Sequence, residues 1–257
     1  MPNAPILRHA GLMFSPSPNP ILMYHHIAPA PPEAGPRRVL YVPREEFAAQ
    51  LDALLALGYR SVTGAEYTAA LLDGSWKRQR LVWITFDDGF RNNFTEALPE
   101  LQARGMVATF FVVVNHTLLN PQPDYMTPAE LLALRDAGME VASHTLSHPR
   151  LTQLPPTDLA RELTQSREHL EEHLGQKQEI FCYPYGDHNA SVLEATRLAG
   201  YHWGVATLRG NQNAETDRYR LKRIMVAPGR TGWKFRYSFT PLYHWLHARK
   251  NKRKWPG

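Results

Sequence analysis

Six residues, Thr85-Phe86-Asp87-Asp88-Gly89-Phe90, constrain this chain more than any other stretch. The apolar, β-branched run Leu81-Val82-Trp83-Ile84 ahead of them reads as a buried strand. Gly89 ends that strand, and a helical pattern starts near Asn92. Two adjacent carboxylates therefore stand at the C-terminal end of a strand, where parallel α/β folds carry their chemistry. Successive strand residues point to opposite faces, so Asp87 and Asp88 are free to do different jobs. Burying both is costly unless a cation or a proton compensates one of them. On these residues alone, a polar turn with one helix-capping Asp would look the same.

The rest of the chain supplies the frame. Residues 20–27 read as a first strand ending in His25 and His26, and residues 29–38 as a Pro-rich loop long enough to act as a flap. Phe47, Leu51, Leu54 and Leu55 follow helical spacing up to Gly58, and a shorter helix spans 65–72. A β-rich run covers 106–114. Thr127-Pro128-Ala129-Glu130 is a capping box that opens a helix ended by Gly138. Strands at 139–143, 180–183, 201–206 and 219–226 alternate with helices at 157–174 and up to Ala199. Strands alternating with helices specify a parallel α/β fold, here a barrel, closed or incomplete.

Composition narrows the class. The chain has 257 residues, 43% hydrophobic and 21% charged, enough for one large domain or two small ones with an ordinary core. No apolar run approaches the roughly 20 residues that span a bilayer. The first 20 residues show no signal-peptide apolar core, and the single Cys182 excludes an internal disulfide. A cytoplasmic location is expected from this, peripheral to the inner membrane if the C-terminus binds lipid. The net charge of +5 is concentrated at Arg249, Lys250, Lys252, Arg253 and Lys254. Basic residues gathered in a tail, rather than along a recognition element, give no reason to expect nucleic acid.

His144-Thr145-Leu146-Ser147-His148 follows the strand at 139–143. Two His four apart share a metal if they lie on one helical turn. His169 and His173 have the same spacing, but stand among Arg167, Glu168, Glu171 and Glu172 on a solvated amphipathic helix, so no metal role is expected there. His144 and His148, like the Asp pair, follow a buried strand. In a parallel sheet those strand ends fall on one rim, so an Asp and two His converge there as a three-ligand site with open positions.

Taken in order, the Thr85–Gly89 and His144–His148 motifs resemble those of the polysaccharide deacetylase family, metal-dependent carbohydrate esterases with a NodB-like domain. The resemblance covers roughly residues 20–226 and implies a distorted or incomplete (β/α) barrel. It implies Asp87 as catalytic base, and Asp88, His144 and His148 as ligands of a divalent metal, Zn²⁺ first, with Co²⁺ or Ni²⁺ as alternatives. A third stretch, Tyr183-Pro184-Tyr185-Gly186, resembles the branch that deacetylates poly-N-acetylglucosamine. By that resemblance the backbone N–H of Tyr185 binds the oxyanion, because a tetrahedral intermediate needs a preorganised donor. Two family features are missing. No Arg stands shortly before Pro184 to orient the base, leaving that role vacant or filled from elsewhere. The stretch 221–226 lacks the His of the family's late motif. The same branch begins with Tyr-His, matched by Tyr24-His25, and this assigns the general acid to His25. His26 is expected to point the opposite way.

The chain thus divides into an N-terminal extension (1–19), a NodB-like deacetylase domain (20–230) and a basic aromatic tail (231–257). The expected activity is hydrolysis of the N-acetyl group of an N-acetylated amino sugar, in a glycan or on a lipid carrier, releasing acetate and a free amine. The alternatives are a deformylase or other amide hydrolase on a lipid-linked amino sugar, and a carbohydrate-binding domain with a decayed site. Trp203 and residues near Tyr125 are expected to wall the pocket. In the tail, Trp233-Lys234-Phe235-Arg236-Tyr237 alternates aromatic and basic residues, and Leu242, Trp245 and Leu246 form an apolar face. That pattern suits contact with anionic inner-leaflet lipid.

Overall fold

The computed structural model describes residues 19–210, 213–240, 242–243 and 245–247. In chain order the elements are β1 (Ile21–Tyr24), β2 (His26–Ile27), β3 (Tyr41–Val42), α1 (Arg44–Ala56), β4 (Arg60–Val62), α2 (Gly64–Asp73) and β5 (Leu81–Phe86). There follow α3 (Leu98–Gln102), β6 (Thr109–Val112), α4 (Pro128–Asp136), β7 (Glu140–Ser143), α5 (Pro156–Leu174), β8 (Ile180–Cys182), α6 (Ala190–Leu198), β9 (Trp203–Arg209), β10 (Leu221–Met225) and α7 (Gly232–Tyr237).

The sheet closes on itself. β1 pairs in parallel with β10 on one edge and with β5 on the other. The order β1-β5-β6-β7-β8-β9-β10 is therefore a seven-stranded parallel barrel, complete rather than open. β4 is an extra strand. It shares one edge of β5 with β6, pairing with Leu81 to Trp83 while β6 takes Thr85 and Phe86. β2 and β3 form a separate two-stranded ribbon.

Period-two alternation sorts the side chains. Leu22, Tyr24, Val82, Ile84, Phe86, Phe110 and Val112 pack outward against helix residues such as Leu51, Leu54, Leu101 and Leu131. Ile21, Leu81, Trp83, Phe111, Cys182, Trp203, Val205 and Leu221 form the inner cluster, joined by Tyr67 and Leu71 of α2. The first turn of α2 plugs the N-terminal mouth: a Cβ on Gly64 would lie 2.5 Å from both Trp83 and Ile180. Glu140 accepts hydrogen bonds from Gly64 N–H (2.7 Å) and Ala65 N–H (3.1 Å), closing that helix end. The barrel is thus apolar and sealed at one end, which leaves the other for chemistry. Trp203 is the first residue of β9 and lies in the sealed end, 4% exposed, with Arg218 stacked on it. It is not part of the pocket wall expected for it.

Local signals hold where they were strong. The Thr127–Glu130 capping box forms, with Thr127 N–H donating to Glu130 (2.8 Å). α5 runs to Leu174 and stops at Gly175, φ +66°. The helix expected near Asn92 starts at Arg91 and carries a single π-turn over Asn93–Ala97 before α3. From the stretch read as a tail, Phe235, Phe239 and Tyr243 are buried in the outer core.

Candidate metal centre and active site

Asp87 and Asp88 do part ways. Asp87 extends β5, its N–H bonded to Tyr24 O (2.9 Å), and its side chain continues the inner row of Trp83 and Thr85. Asp88 and Gly89 then both turn left-handed, φ +74° and +82°, and swing the second carboxylate onto the rim. A non-glycine residue in that region costs about 1–2 kcal/mol. Asp88, Thr145, His148 and Tyr185 all adopt it, so strain is concentrated around one point of the fold. Gly89 is required at its place: a Cβ there would lie 3.0 Å from Thr117 and 3.2 Å from Val112.

On the rim, Asp88 Oδ1 lies 3.3 Å from His144 Nε2 and 3.2 Å from His148 Nε2. Atoms bound tetrahedrally at about 2.0–2.1 Å from one ion stand about 3.3–3.4 Å apart, so these donors are spaced to hold a divalent cation. His144 Nδ1–H donates to Cys182 O (2.8 Å), which fixes the tautomer and leaves Nε2 as the ligating nitrogen. Burial pushes the Asp88 carboxyl up, but the two imidazoles outweigh it and hold it well below the carboxylate range. The same negative field that would keep a proton on His144 favours a metal ion in its place.

The two His meet without lying on a helical turn. Residues 144–149 form an irregular turn held by α5. Glu162 accepts from Leu146 N–H (3.0 Å), Ser147 N–H (2.9 Å) and Ser147 Oγ–H (2.6 Å). Thr145 Oγ1 accepts from His148 N–H (2.8 Å), and the left-handed His148 backbone brings its ring back toward His144. His169 and His173 enter no metal-competent cluster among the described residues. His173 Nε2 instead bonds Pro128 O at 2.9 Å.

Below this cluster lies a fully buried ion pair. Arg223 of β10 grips Asp87 with two hydrogen bonds, Nη1 to Oδ1 (2.7 Å) and Nη2 to Oδ2 (2.8 Å). Its remaining donors go to Thr85 Oγ1 (3.0 Å), Ala206 O (3.1 Å) and Cys182 Sγ (3.2 Å). Burial pushes the Asp87 carboxyl up, but the guanidinium overcomes it and keeps the group ionised, below the usual range. The Arg that meets Asp87 thus comes from β10 instead of β8, where the small Cys182 side chain lies against it. The stretch 221–226, read as lacking a His, was carrying this residue. The available signal was an Arg at the centre of the strand Leu221-Lys222-Arg223-Ile224-Met225, on the opposite face from its neighbour Lys222.

His25 completes the inner layer, its Nε2 4.0 Å from Asp87 Oδ2. Asn93, buried at the π-turn, donates to His25 O (2.6 Å) and fixes that backbone. Tyr185 has φ +59°, and its ring stands edge-on to His148 (4.7 Å between centroids) with Arg150 on it at 4.6 Å. Next to it, a Cβ on Gly186 would collide with Thr207. A cleft of about 980 Å³ opens above, lined by Asp88, His148, Tyr185, His26, Tyr41, Phe90 and Tyr125, with Glu33 and Arg37 of the Pro-rich loop on its edge. Tyr125 therefore lies where a pocket wall was expected.

A closed parallel barrel with these groups at its C-terminal rim defines the NodB-like class of (β/α) barrels. Residues 75–204 match the model of the polysaccharide deacetylase family. A relative is the candidate polysaccharide deacetylase YxkH of Bacillus subtilis, 32% identical over 84% of this chain and 74% of its own length. Among solved structures, the Streptococcus pyogenes deacetylase PplD in complex with acetate superposes with a TM-score of 0.82 at 28% identity, over 88% of this chain and 100% of that one. IcaB from Ammonifex degensii superposes at 0.72 and 26% identity, over 86% and 97%. The chain belongs to the polysaccharide deacetylase family. The likeness to IcaB supports the branch suggested by Tyr183–Gly186. The family acts in the N-deacetylation of sugars and is metal-dependent in general.

Proposed function

We propose that this chain hydrolyses the N-acetyl group of an N-acetylated amino sugar, in a glycan or on a lipid carrier, with a divalent metal, Zn²⁺ first. The observation that carries the reading is the division of labour between neighbours: Asp87 turned inward onto Arg223 near His25, Asp88 turned outward onto His144 and His148. Asp88, His144 and His148 would hold a divalent cation, which would supply Lewis acidity toward the acetamide carbonyl. Asp87 takes the proton of the attacking water. Arg223 occupies one lone-pair direction on each of its oxygens, and Oδ2, on the His25 side, keeps another free to accept. Tyr185 N–H is assigned to the developing oxyanion, and His25 to protonation of the departing sugar nitrogen. PplD in complex with acetate fits this reading, since acetate is the acid product of the proposed reaction.

The deciding assay is acetate release from N-acetylglucosamine oligomers and from a lipid-linked N-acetylhexosamine, with N-formyl analogues alongside. Release from an acetylated substrate should be abolished by a chelator and restored by Zn²⁺. Turnover of the formyl analogues alone would make the chain a deformylase. Metal binding without any turnover would leave a carbohydrate-binding role.

No helix among the described residues is long and apolar enough to cross a membrane. For the C-terminus we propose peripheral contact with anionic lipid on the cytoplasmic leaflet. Trp233 is 74% exposed, and Leu242 and Trp245 are each 51% exposed. Lys234 and Arg236 stand beside them in sequence, while Arg249 to Lys254 lie outside the described residues. Each basic residue near such a surface contributes about 1 kcal/mol. Deleting Arg249 to Gly257 should release the protein from phosphatidylserine-containing liposomes. Undiminished binding, or none by the full chain, would refute the contact.

A further inference from the structure

The second histidine of the Tyr24-His25-His26 stretch has no part in the chemistry above, yet it is more tightly specified than His25. Its ring lies between Tyr41 (4.1 Å between centroids, 4° between planes) and Phe90 (3.7 Å, 23°). Its Nδ1 is 3.1 Å from Asn92 Nδ2. The orientation of that amide is not arbitrary. Asn92 Oδ1 accepts from Ile27 N–H (3.1 Å) and from Asn93 Nδ2–H (3.2 Å), so the nitrogen is the end that faces His26. An amide nitrogen only donates, and His26 Nδ1 must therefore be the bare, accepting nitrogen. The ring's one proton then resides on Nε2. Both faces are covered and the Nδ1 edge is occupied, which leaves the Nε2 edge as the one turned to the cleft that His26 lines. Among the described residues Nε2 has no hydrogen-bond partner.

We infer that His26 is a substrate-positioning residue, a neutral imidazole whose Nε2–H donates a hydrogen bond to a hydroxyl or ring oxygen of the sugar in the cleft. This rests on the deacetylase reading of the site. A donor locked in one tautomer cannot serve as an acid–base shuttle, which separates it from its neighbour His25. It suits a ligand rich in acceptor oxygens and apolar ring faces, with Tyr41, Phe90 and Tyr125 supplying the aromatic surface around it. Protonating Nδ1 would break the Asn92 bond and place a cation between two aromatic rings. Burial and the neighbouring His25 outweigh Asp88 and Asp124, and hold the pKa down to about 4, so the neutral form persists at working pH.

Two measurements on the zinc-loaded full chain test this. The first is kinetics on the N-acetylglucosamine pentamer with His26→Phe, which keeps the aromatic stack and removes the N–H. Loss of one neutral hydrogen bond should raise KM about 3- to 10-fold, with kcat within about twofold and the pH–rate profile unmoved. An unchanged KM, or a fall in kcat with a displaced pH profile, would overturn the inference. The second is ¹⁵N NMR of the imidazole at pH 7. The wild type should show the Nε2–H tautomer, and Asn92→Asp, which offers an acceptor in place of a donor, should move the proton to Nδ1. A wild-type Nδ1–H tautomer would overturn the inference outright. Should the wild type release no acetate from the pentamer, the deacetylase reading fails separately. The Nε2 resonance then decides: a shift on adding the pentamer supports the donor, and no shift refutes it.

Discussion

Asp87→Asn is expected to lower acetate release by about 10³-fold, within the range general-base catalysis supplies, while bound zinc stays at the wild-type level. The amide has the shape of the carboxylate but cannot take a proton from water. It also leaves Asp88, His144 and His148 untouched, and these are the atoms that converge on the ion site. Asp88→Ala is the contrasting variant: it removes a ligand, so metal content and activity fall together. Measuring kcat/KM for acetate release and bound metal on the same samples separates the roles of the two neighbours. More than a tenth of wild-type activity in Asp87→Asn would move the base to another group. Loss of zinc in that variant would mean that the inner and outer carboxylates do not act independently.

How far the sequence carried the site depends on whether each relation is local. The inward direction of Asp87 follows from the two-residue period of a strand and was legible for that reason, whereas Asp88 is aimed by the left-handed turn at Asp88 and Gly89. The pairing of His144 with His148 was legible in its spacing but not in its cause. The turn is clamped by Glu162 of α5, far outside any local window. The partner of Arg223 was not legible, even though an Arg in mid-strand was visible, because Asp87 lies 136 positions away and closure of the barrel brings the two together. That closure rests on β1 pairing with β5, a contact no periodicity announces. Trp203 shows the converse. Its place at the start of a strand already put it at the N-terminal end, opposite the chemistry, but its aromatic character suggested a sugar-binding surface.

The pair formed by Arg223 and Asp87 should then dominate the stability of the inner layer. Arg223→Met is expected to destabilise the protein at pH 7 by about 3–5 kcal/mol, the cost of leaving a buried charge without its partner. The pH dependence should invert. In the wild type the guanidinium holds Asp87 below its unfolded pKa, so its contribution is fully present above pH ~4. That contribution is lost as pH falls through the folded value. Without Arg223, burial becomes the leading influence and raises the Asp87 pKa. Folding then favours the protonated acid, and the deficit of the variant should be larger at pH 7 than at pH 4.5. Urea denaturation of metal-free protein at the two values measures it, and an equal deficit at both would sever the link to Asp87. Asp87→Asn strands the opposite charge and should cost a similar amount. The double variant Asp87→Asn, Arg223→Met removes both charges, and replacing a buried pair by uncharged groups is often close to neutral. It should therefore be more stable than either single variant, with no return of acetate release. If its destabilisation is instead the sum of the two, the pair is not coupled, and the ion pair is not what holds the base in place. Recovered stability with activity still absent is the outcome that assigns Arg223 to holding a reactive carboxylate ionised, and Asp87 to using it.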